Sequence, residues 1–151
     1  MKRKLFTKLF AGLLLLGLAF GAASCSSDTR DIEETQWKIE NFTVKDSEWN
    51  WNTGLLRWEA TKQLPVIDEF IYEKGALIGY IFFGEQGVNE MQAQLPYILN
   101  KVDKEGNAYE ETIGYEFNYL TKRITFFIQD SQSHRDEAAA ATYNFRIAMI
   151  W

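Results

Sequence analysis

Large apolar residues occupy every second position along much of this chain, and this alternation constrains the fold more than any other feature. The clearest run is the last one, where the apolar positions are Tyr143, Phe145, Ile147, Met149 and Trp151. A period of two places alternate side chains on one face of a β-strand. The sequence therefore predicts a domain built from strands that each bury one face.

Other segments repeat this pattern and extend the prediction to about eight strands. One strand carries its apolar face at residues 113–119 and the next at residues 124–128, so the two predict a hairpin. Strong turn residues at 103–107 separate a further pair of strands. Three more strands are predicted at Trp37–Val44, Leu55–Thr61 and Ala76–Phe83.

Two short stretches break the alternation and predict brief helical turns. Asp68 to Gly75 has a capping residue, an acidic first turn and a terminal glycine. Ser133 to Ala141 is rich in alanine and suits a brief helix or a mobile loop. With Pro65 and Pro96 at expected strand ends, the sequence predicts an all-β fold, namely an antiparallel β-sandwich. A small closed β-barrel with a ligand cavity is the alternative.

The N-terminus has the order of a bacterial export signal. It begins with the basic residues Lys2, Arg3, Lys4 and Lys8. An apolar run from Leu9 to Phe20 and the small residues 21–24 lead to Cys25, the only cysteine. This arrangement resembles a lipobox, which predicts a lipoprotein signal peptide over residues 1–24 and a lipid anchor on Cys25. The alternative is an uncleaved membrane helix, but about a dozen apolar residues fall short of the roughly 20 that span a bilayer.

Residues 25–36 are polar and acidic, and they predict a flexible tether ahead of a β-sandwich domain over residues 37–151. The acidic cluster resembles the surface-export signal of Bacteroidota lipoproteins, and a solvated linker explains it equally well. Cleavage before Cys25 would leave 127 residues with 12 Lys and Arg against 21 Asp and Glu, a formal charge of −9. Such a charge argues against nucleic-acid binding and leaves acyl chains as the membrane contact. The predicted location is the cell envelope, on either side of the outer membrane.

A spaced pattern in the middle of the chain is similar to that of a known group of proteins. The residues concerned are Pro65-Val66-Ile67-Asp68, Phe70-Ile71, Gly75, Leu77, Tyr80 and Leu95-Pro96-Tyr97. This pattern resembles that of small Bacteroidota lipoproteins, and the resemblance implies an exported β domain without implying any activity. Asp68 stands where threonine is frequent in that group, and it can cap the same turn. Gly79 replaces a bulkier residue, which predicts a bulge or close packing there.

Catalytic and metal-binding patterns are weak in this sequence. His134 is the only histidine and lies among polar residues, so an exposed loop residue is expected rather than a catalytic one. One histidine and no second cysteine argue against zinc, and residues 103–107 suit a turn better than a calcium loop. The sequence therefore predicts no catalytic residues, metal or cofactor. A small envelope hydrolase remains the alternative, with acidic candidates at Glu59, Glu110, Glu111 and Glu116.

The tryptophans suggest a binding role. Trp49 and Trp51 are two residues apart and Trp58 follows the turn at 52–54, so the three could stack on sugar rings. The competing interpretation is that these indoles, with Trp37 and Trp151, pack in the core. The hypothesis from the sequence is a lipid-anchored binding or interaction module for glycan or protein. A purely structural envelope lipoprotein is a further alternative.

Overall fold

Residues 34–151 are the part of the chain that the computed structural model describes. The predicted signal peptide, the predicted lipidation site Cys25 and the predicted tether up to residue 33 lie outside the described residues. Within residues 34–151 there are nine β-strands and one short α-helix. Their bounds are β1 Trp37–Val44, β2 Asn50–Asn52, β3 Arg57–Gln63, α1 Glu69–Lys74, β4 Ala76–Phe83, β5 Met91–Gln94, β6 Tyr97–Val102, β7 Ala108–Asn118, β8 Arg123–Asp130 and β9 Tyr143–Ile150.

The strands form two open antiparallel sheets. Sheet A has the order β1-β9-β4-β5, and sheet B has the order β2-β3-β8-β7-β6. The prediction of an all-β antiparallel sandwich is confirmed, with nine strands rather than about eight. The described strands do not close into a barrel, because each sheet ends in two edge strands that have no neighbour on one side.

The hairpin predicted near residue 120 is confirmed. A second hairpin, between β2 and β3, shows that one predicted strand boundary was wrong. β7 and β8 pair in register, with Ile113 opposite Ile128. The strand predicted at 55–61 instead begins at Arg57, because a turn joins it to β2. In that turn the Asn52 side chain accepts hydrogen bonds from the Gly54 and Leu55 amides, which holds Leu55 out in solvent.

Both brief helical segments are present. Asp68 caps α1 by accepting a hydrogen bond from the Ile71 amide at 2.8 Å. Gly75 ends α1 with an ordinary negative φ of −91°, so its role is not a left-handed cap. A Cβ at Gly75 would lie 2.6 Å from the Ile71 carbonyl oxygen and 2.8 Å from that of Ile150. Lack of room therefore explains this glycine. The alanine-rich segment forms a single 3-10 turn at Glu137–Ala139.

The core lies between the two sheets. Phe126 of sheet B stacks on Phe145 of sheet A, with ring centroids 4.1 Å apart and an angle of 12° between the rings. Close packing, rather than a bulge, explains Gly79. A Cβ at this position would overlap the ring of Tyr115, whose hydroxyl donates to the Leu77 carbonyl oxygen at 2.7 Å. Burial raises the pKa of Tyr115. The two sheets can approach each other at this point because Gly79 of sheet A has no side chain to obstruct Tyr115 of sheet B.

Candidate functional site

The three tryptophans proposed as a stacking site do not form an exposed planar shelf. Trp49 and Trp58 are only 5% and 6% exposed. Their indole nitrogens donate to the carbonyl oxygens of Ala141 and Asp136, at 2.8 and 2.9 Å respectively. Trp51 is half-buried and meets Trp58 edge to face, with ring centroids 5.5 Å apart. These indoles therefore pack against the sandwich, because the loop before β9 supplies the acceptors that their N–H groups need.

A shallow depression of about 450 Å³ lies beside these indoles. Its floor includes Trp49 and Trp58, and its rim includes Arg135. The guanidinium of Arg135 lies 5.0 Å above the ring of Trp58 and 6.0 Å from that of Trp51. The arginine thus occupies the face on which a sugar would have to stack.

Charged side chains meet inside one end of the sandwich, and we call this group the inward charged cluster: Lys101, Glu111, Asp130 and Asp136. Glu111 is 1% exposed, and its Oε2 accepts a 2.7 Å hydrogen bond from Lys101 Nζ. Lys101 Nζ also lies 3.7 Å from Asp136 Oδ2. Burial opposes the charged form of Lys101, but Glu111 outweighs this effect, so the pKa of Lys101 is raised. Within the described part of the chain, Oε1 of Glu111 has no hydrogen-bond partner.

The acidic residues considered for hydrolysis do not all meet at one site, and the two that share a partner are both engaged by Arg57. Glu111 points into the sandwich, whereas Glu59 and Glu116 bind Arg57 on the outer face of sheet B, and Glu110 is exposed. The histidine expected in a loop is there: the His134 side chain is 59% exposed, and its Nδ1 lies 3.8 Å from the Oδ2 of Asp130. Across residues 34–151, no three His, Cys, Asp or Glu side chains are grouped so that they could hold a metal ion.

In the turn that was considered as a calcium loop, the acidic side chain of Asp103 is engaged by hydrogen bonds within the turn. Asp103 accepts hydrogen bonds from the Asn107 amide at 2.7 Å and from the Asn107 side chain at 2.9 Å. The Asn107 side-chain bond is the largest of several hydrogen bonds that lower the pKa of Asp103. Gly106 adopts a positive φ of 89°, as the turn requires. The spacing of polar residues is thus explained by the hairpin between β6 and β7.

The outer face of sheet B is occupied by its own ion network. Arg57 donates two hydrogen bonds of 2.9 Å to the Glu116 carboxylate and one of 2.7 Å to Glu59. Its guanidinium lies 4.4 Å from the ring centroid of Phe127. The hydrogen bond from Arg57 holds the pKa of Glu116 below its usual value. Because these charges satisfy one another, the network itself offers few free groups to a partner.

The Arg57–Glu116 pair predicts a specific acid sensitivity. The folded-state pKa of Glu116 is lowered from 4.5, so the stabilisation is present above that pH and is lost as the pH falls through the folded value. We expect Glu116→Gln to flatten the dependence of the unfolding free energy on pH below about 4.5. Urea titrations of both proteins at several pH values measure this difference. Parallel curves for the two proteins would contradict the prediction.

The outer face of sheet A differs, because many of its side chains are apolar and exposed to solvent. Its outward side chains form cross-strand rows, because Ile150 of β9 lies between Trp37 of β1 and Ala76 of β4 in the register. Trp37 is 70% exposed, Ile39 42% and Ile150 37%. We call this region the apolar half of the face, and its members are Trp37, Ile39, Ala76, Ile78, Ala148 and Ile150. A contiguous exposed apolar surface of this kind is a candidate interaction site.

Most outward side chains on the remainder of the same face are polar, and we call this region the polar half: Asn41, Thr43, Phe82, Gln92, Asn144 and Arg146. It surrounds an open groove of about 270 Å³. The Arg146 guanidinium lies 4.9 Å above the ring of Phe82. Thr43 Oγ1 forms a 2.7 Å hydrogen bond with Oδ1 of Asn144. The single outer face thus combines an apolar surface with a groove lined by hydrogen-bonding groups.

Sequence reasoning missed this face, although β1 carries a readable signal for it. Trp37 and Ile39 lie on one side of the strand, while Phe42 and Val44 lie on the other. The apolar side chains therefore switch from one face of the strand to the other, so they cannot all pack into the same core. Trp37 was also counted among the indoles that could pack in the core, and its 70% exposure corrects that interpretation.

Comparison of the chain with protein-family models, with curated proteins and with solved structures returned no match. Among residues 34–151 there is also no helix of the length and apolar character needed to cross a membrane. The chemistry of its own surfaces is therefore the basis on which a function can be assigned.

Proposed function

We propose that this chain is a lipid-anchored interaction module of the cell envelope, and that the apolar half of the sheet A face binds a protein partner. The observation that carries the proposal is the exposed row of Trp37 and Ile150, with Ile39 beside it. Tryptophan is enriched among the residues that dominate binding energy in protein interfaces. An exposed tryptophan held in a paired strand loses little further conformational entropy when it is covered.

Burial and charge support a protein partner over a glycan or the bilayer surface. The proposed stacking indoles Trp49 and Trp58 are buried, so no flat aromatic shelf is presented at that end. The mature chain would carry a charge of −9, which repels anionic lipid headgroups. The apolar half contains no charged side chain, so a neutral apolar surface of another protein can approach it without that penalty.

The position of the apolar half supports a partner near the membrane. Gln36 exchanges two backbone hydrogen bonds with Trp151, of 2.6 and 2.9 Å, immediately before Trp37. The tether therefore reaches the domain at the apolar end of sheet A. A segment of twelve residues can span at most roughly 40 Å. An anchor at Cys25 would therefore keep the domain within about that distance of the membrane, where a membrane-held partner can reach it.

A hydrolase is less well supported by the arrangement of acidic groups. Glu111 faces the interior and is paired with Lys101, whereas Glu59 and Glu116 are engaged by Arg57. A structural lipoprotein without a partner would tolerate polar substitutions on the apolar half. That difference can be measured directly.

Site-directed photo-crosslinking in intact cells tests the proposal. A photo-crosslinking amino acid is placed at Ile39, and as a control at Leu120, which is 77% exposed in the turn between β7 and β8. We expect one discrete adduct from position 39 that contains a single other protein, and none of that size from position 120. With the partner purified, Ile39→Ser should weaken binding at least about tenfold, while Leu120→Ser should leave it unchanged.

Three outcomes would overturn parts of this proposal. Equal crosslinking at both positions would remove the apolar half as the binding surface. An adduct of twice the chain mass alone would replace the partner with a second copy of the chain. Acyl labelling tests the anchor separately: it should be lost in Cys25→Ser, and its persistence would contradict lipidation at Cys25.

A further inference from the structure

Arg146, in the polar half of the sheet A face, is a half-buried arginine without an acidic partner. Its Nε donates to Oδ1 of Asn41 at 3.1 Å, and its Nη1 donates to Oε1 of Gln92 at 3.2 Å. The central carbon of its guanidinium lies 4.9 Å from the ring centroid of Phe82. Within residues 34–151, no carboxylate oxygen lies within 4.0 Å of a guanidinium nitrogen of Arg146, so Arg146 forms no ion pair there.

This absence is notable because the domain is acidic. The whole chain has 21 acidic residues against 16 basic ones, and the buried arginine Arg57 binds two carboxylates. Neutral amides on β1 and β5, the two edge strands of sheet A, orient Arg146 without neutralising its charge. An arginine has five N–H donors, so about three remain after the bonds to Asn41 and Gln92. The guanidinium is thus fixed in direction while much of its binding capacity is unused.

The surroundings of Arg146 supply further donors and define the size of the site. The groove of about 270 Å³ is lined by Asn41, Thr43, Asn144 and Arg146 among others. Oδ1 of Asn144 is engaged by Thr43, which leaves its Nδ2 group able to donate. This volume is at the low end for small-molecule sites, so it suits a single sugar ring or the end of a peptide chain.

We propose that this groove binds a carboxylate, with Arg146 as the charged contact and the Asn144 amide as a neutral one. The planar guanidinium matches the two oxygens of a carboxylate, and charge-assisted pairs of this kind are stronger than neutral hydrogen bonds. Glu90 also lines the groove. Its negative charge opposes any anion, and it opposes a dianion such as phosphate about twice as strongly as a singly charged ligand. The carboxylate could belong to an acidic sugar or to a peptide C-terminus.

Calorimetric titration of the full-length lipoprotein in a neutral detergent tests this proposal. The probes are glucuronate, the uncharged methyl ester of glucuronate, N-acetyl-diglycine and inorganic phosphate. We expect binding of at least one of the two carboxylates at millimolar concentration, weakening with added salt, and no comparable binding of the ester or phosphate. Preference between glucuronate and N-acetyl-diglycine identifies the source of the carboxylate.

Two matched variants identify the residue responsible. Arg146→Gln should weaken binding at least tenfold, whereas Arg123→Gln, at an exposed arginine of sheet B, should not change it. If Arg146→Gln does not fold, Asn144→Asp serves instead, because a second negative charge beside the groove should abolish binding. Binding of ester and acid with equal affinity, or of neither, would overturn the proposal, as would unchanged binding in the variants. Ile39→Ser should leave carboxylate binding intact, so failure here is distinct from failure of the proposed protein interface.

Discussion

Phe126→Ala should lower the free energy of unfolding by about 3–5 kcal/mol. Phe126 is fully buried in β8 and stacks on Phe145 of β9, so it joins the two sheets at their centre. It also meets Phe42 edge to face, with ring centroids 5.6 Å apart. Alanine would leave a cavity between the sheets, and the surrounding strands cannot collapse into it without breaking their pairing. Urea-induced unfolding followed by tryptophan fluorescence measures the loss.

The control for this prediction is a phenylalanine that is exposed. Phe70 on α1 is 58% exposed, and Phe70→Ala should change stability by less than about 0.5 kcal/mol. The double variant of Phe126 and Phe145 should lose less than the sum of the single losses, because the two rings contact each other. A loss below about 1 kcal/mol for Phe126→Ala would show that the rings do not form the centre of the core.

Lys101→Ala should destabilise the fold by roughly 3 kcal/mol, at the lower end of the range for breaking a buried ion pair. The reason is that the Glu111 carboxyl group, at 1% exposure, would remain inside the sandwich without its 2.7 Å hydrogen-bond partner. The Lys101 side chain is itself 30% exposed, which limits the loss. Thermal and urea unfolding near neutral pH provide the measurement.

A double substitution separates the cost of an unpaired charge from the worth of the pair. Lys101→Met combined with Glu111→Leu removes both charges and keeps apolar volume, so it should recover most of the stability lost in Lys101→Ala. Lys101→Met alone should remain destabilised for the same reason as Lys101→Ala. If the double variant is as unstable as the single ones, packing rather than charge would be the cause.

Much of the fold could be predicted from local patterns. The alternation over 143–151 gives β9, whose buried positions are Phe145, Ile147 and Met149. The capping residue Asp68 correctly marked α1, and turn residues correctly marked the hairpin after Val102. Each of these features depends on side chains within a few residues of one another. The predicted ends of the strands were less accurate. β3 begins at Arg57 rather than at Leu55, because Leu55 belongs to the turn that the Asn52 side chain holds.

The candidate surfaces were harder to predict because they depend on contacts between distant residues. The sequence shows Trp49, Trp51 and Trp58 as an aromatic cluster, but not that a loop about 80 or 90 residues later binds their N–H groups. It shows Arg146 as one polar residue in a strand, but not that Asn41 and Gln92 hold it from either side. Lys101 and Glu111 likewise meet only through strand pairing.

The amino-acid sequence alone determined the class of this fold, since the period of two is a property of the extended backbone that needs no partner. It also predicts export and lipidation at Cys25 from a linear segment, and this stays a prediction. Only the tertiary structure decided which side of each strand faces solvent and which charges are paired. A strand has two faces, and burial of one of them depends on where the other sheet packs.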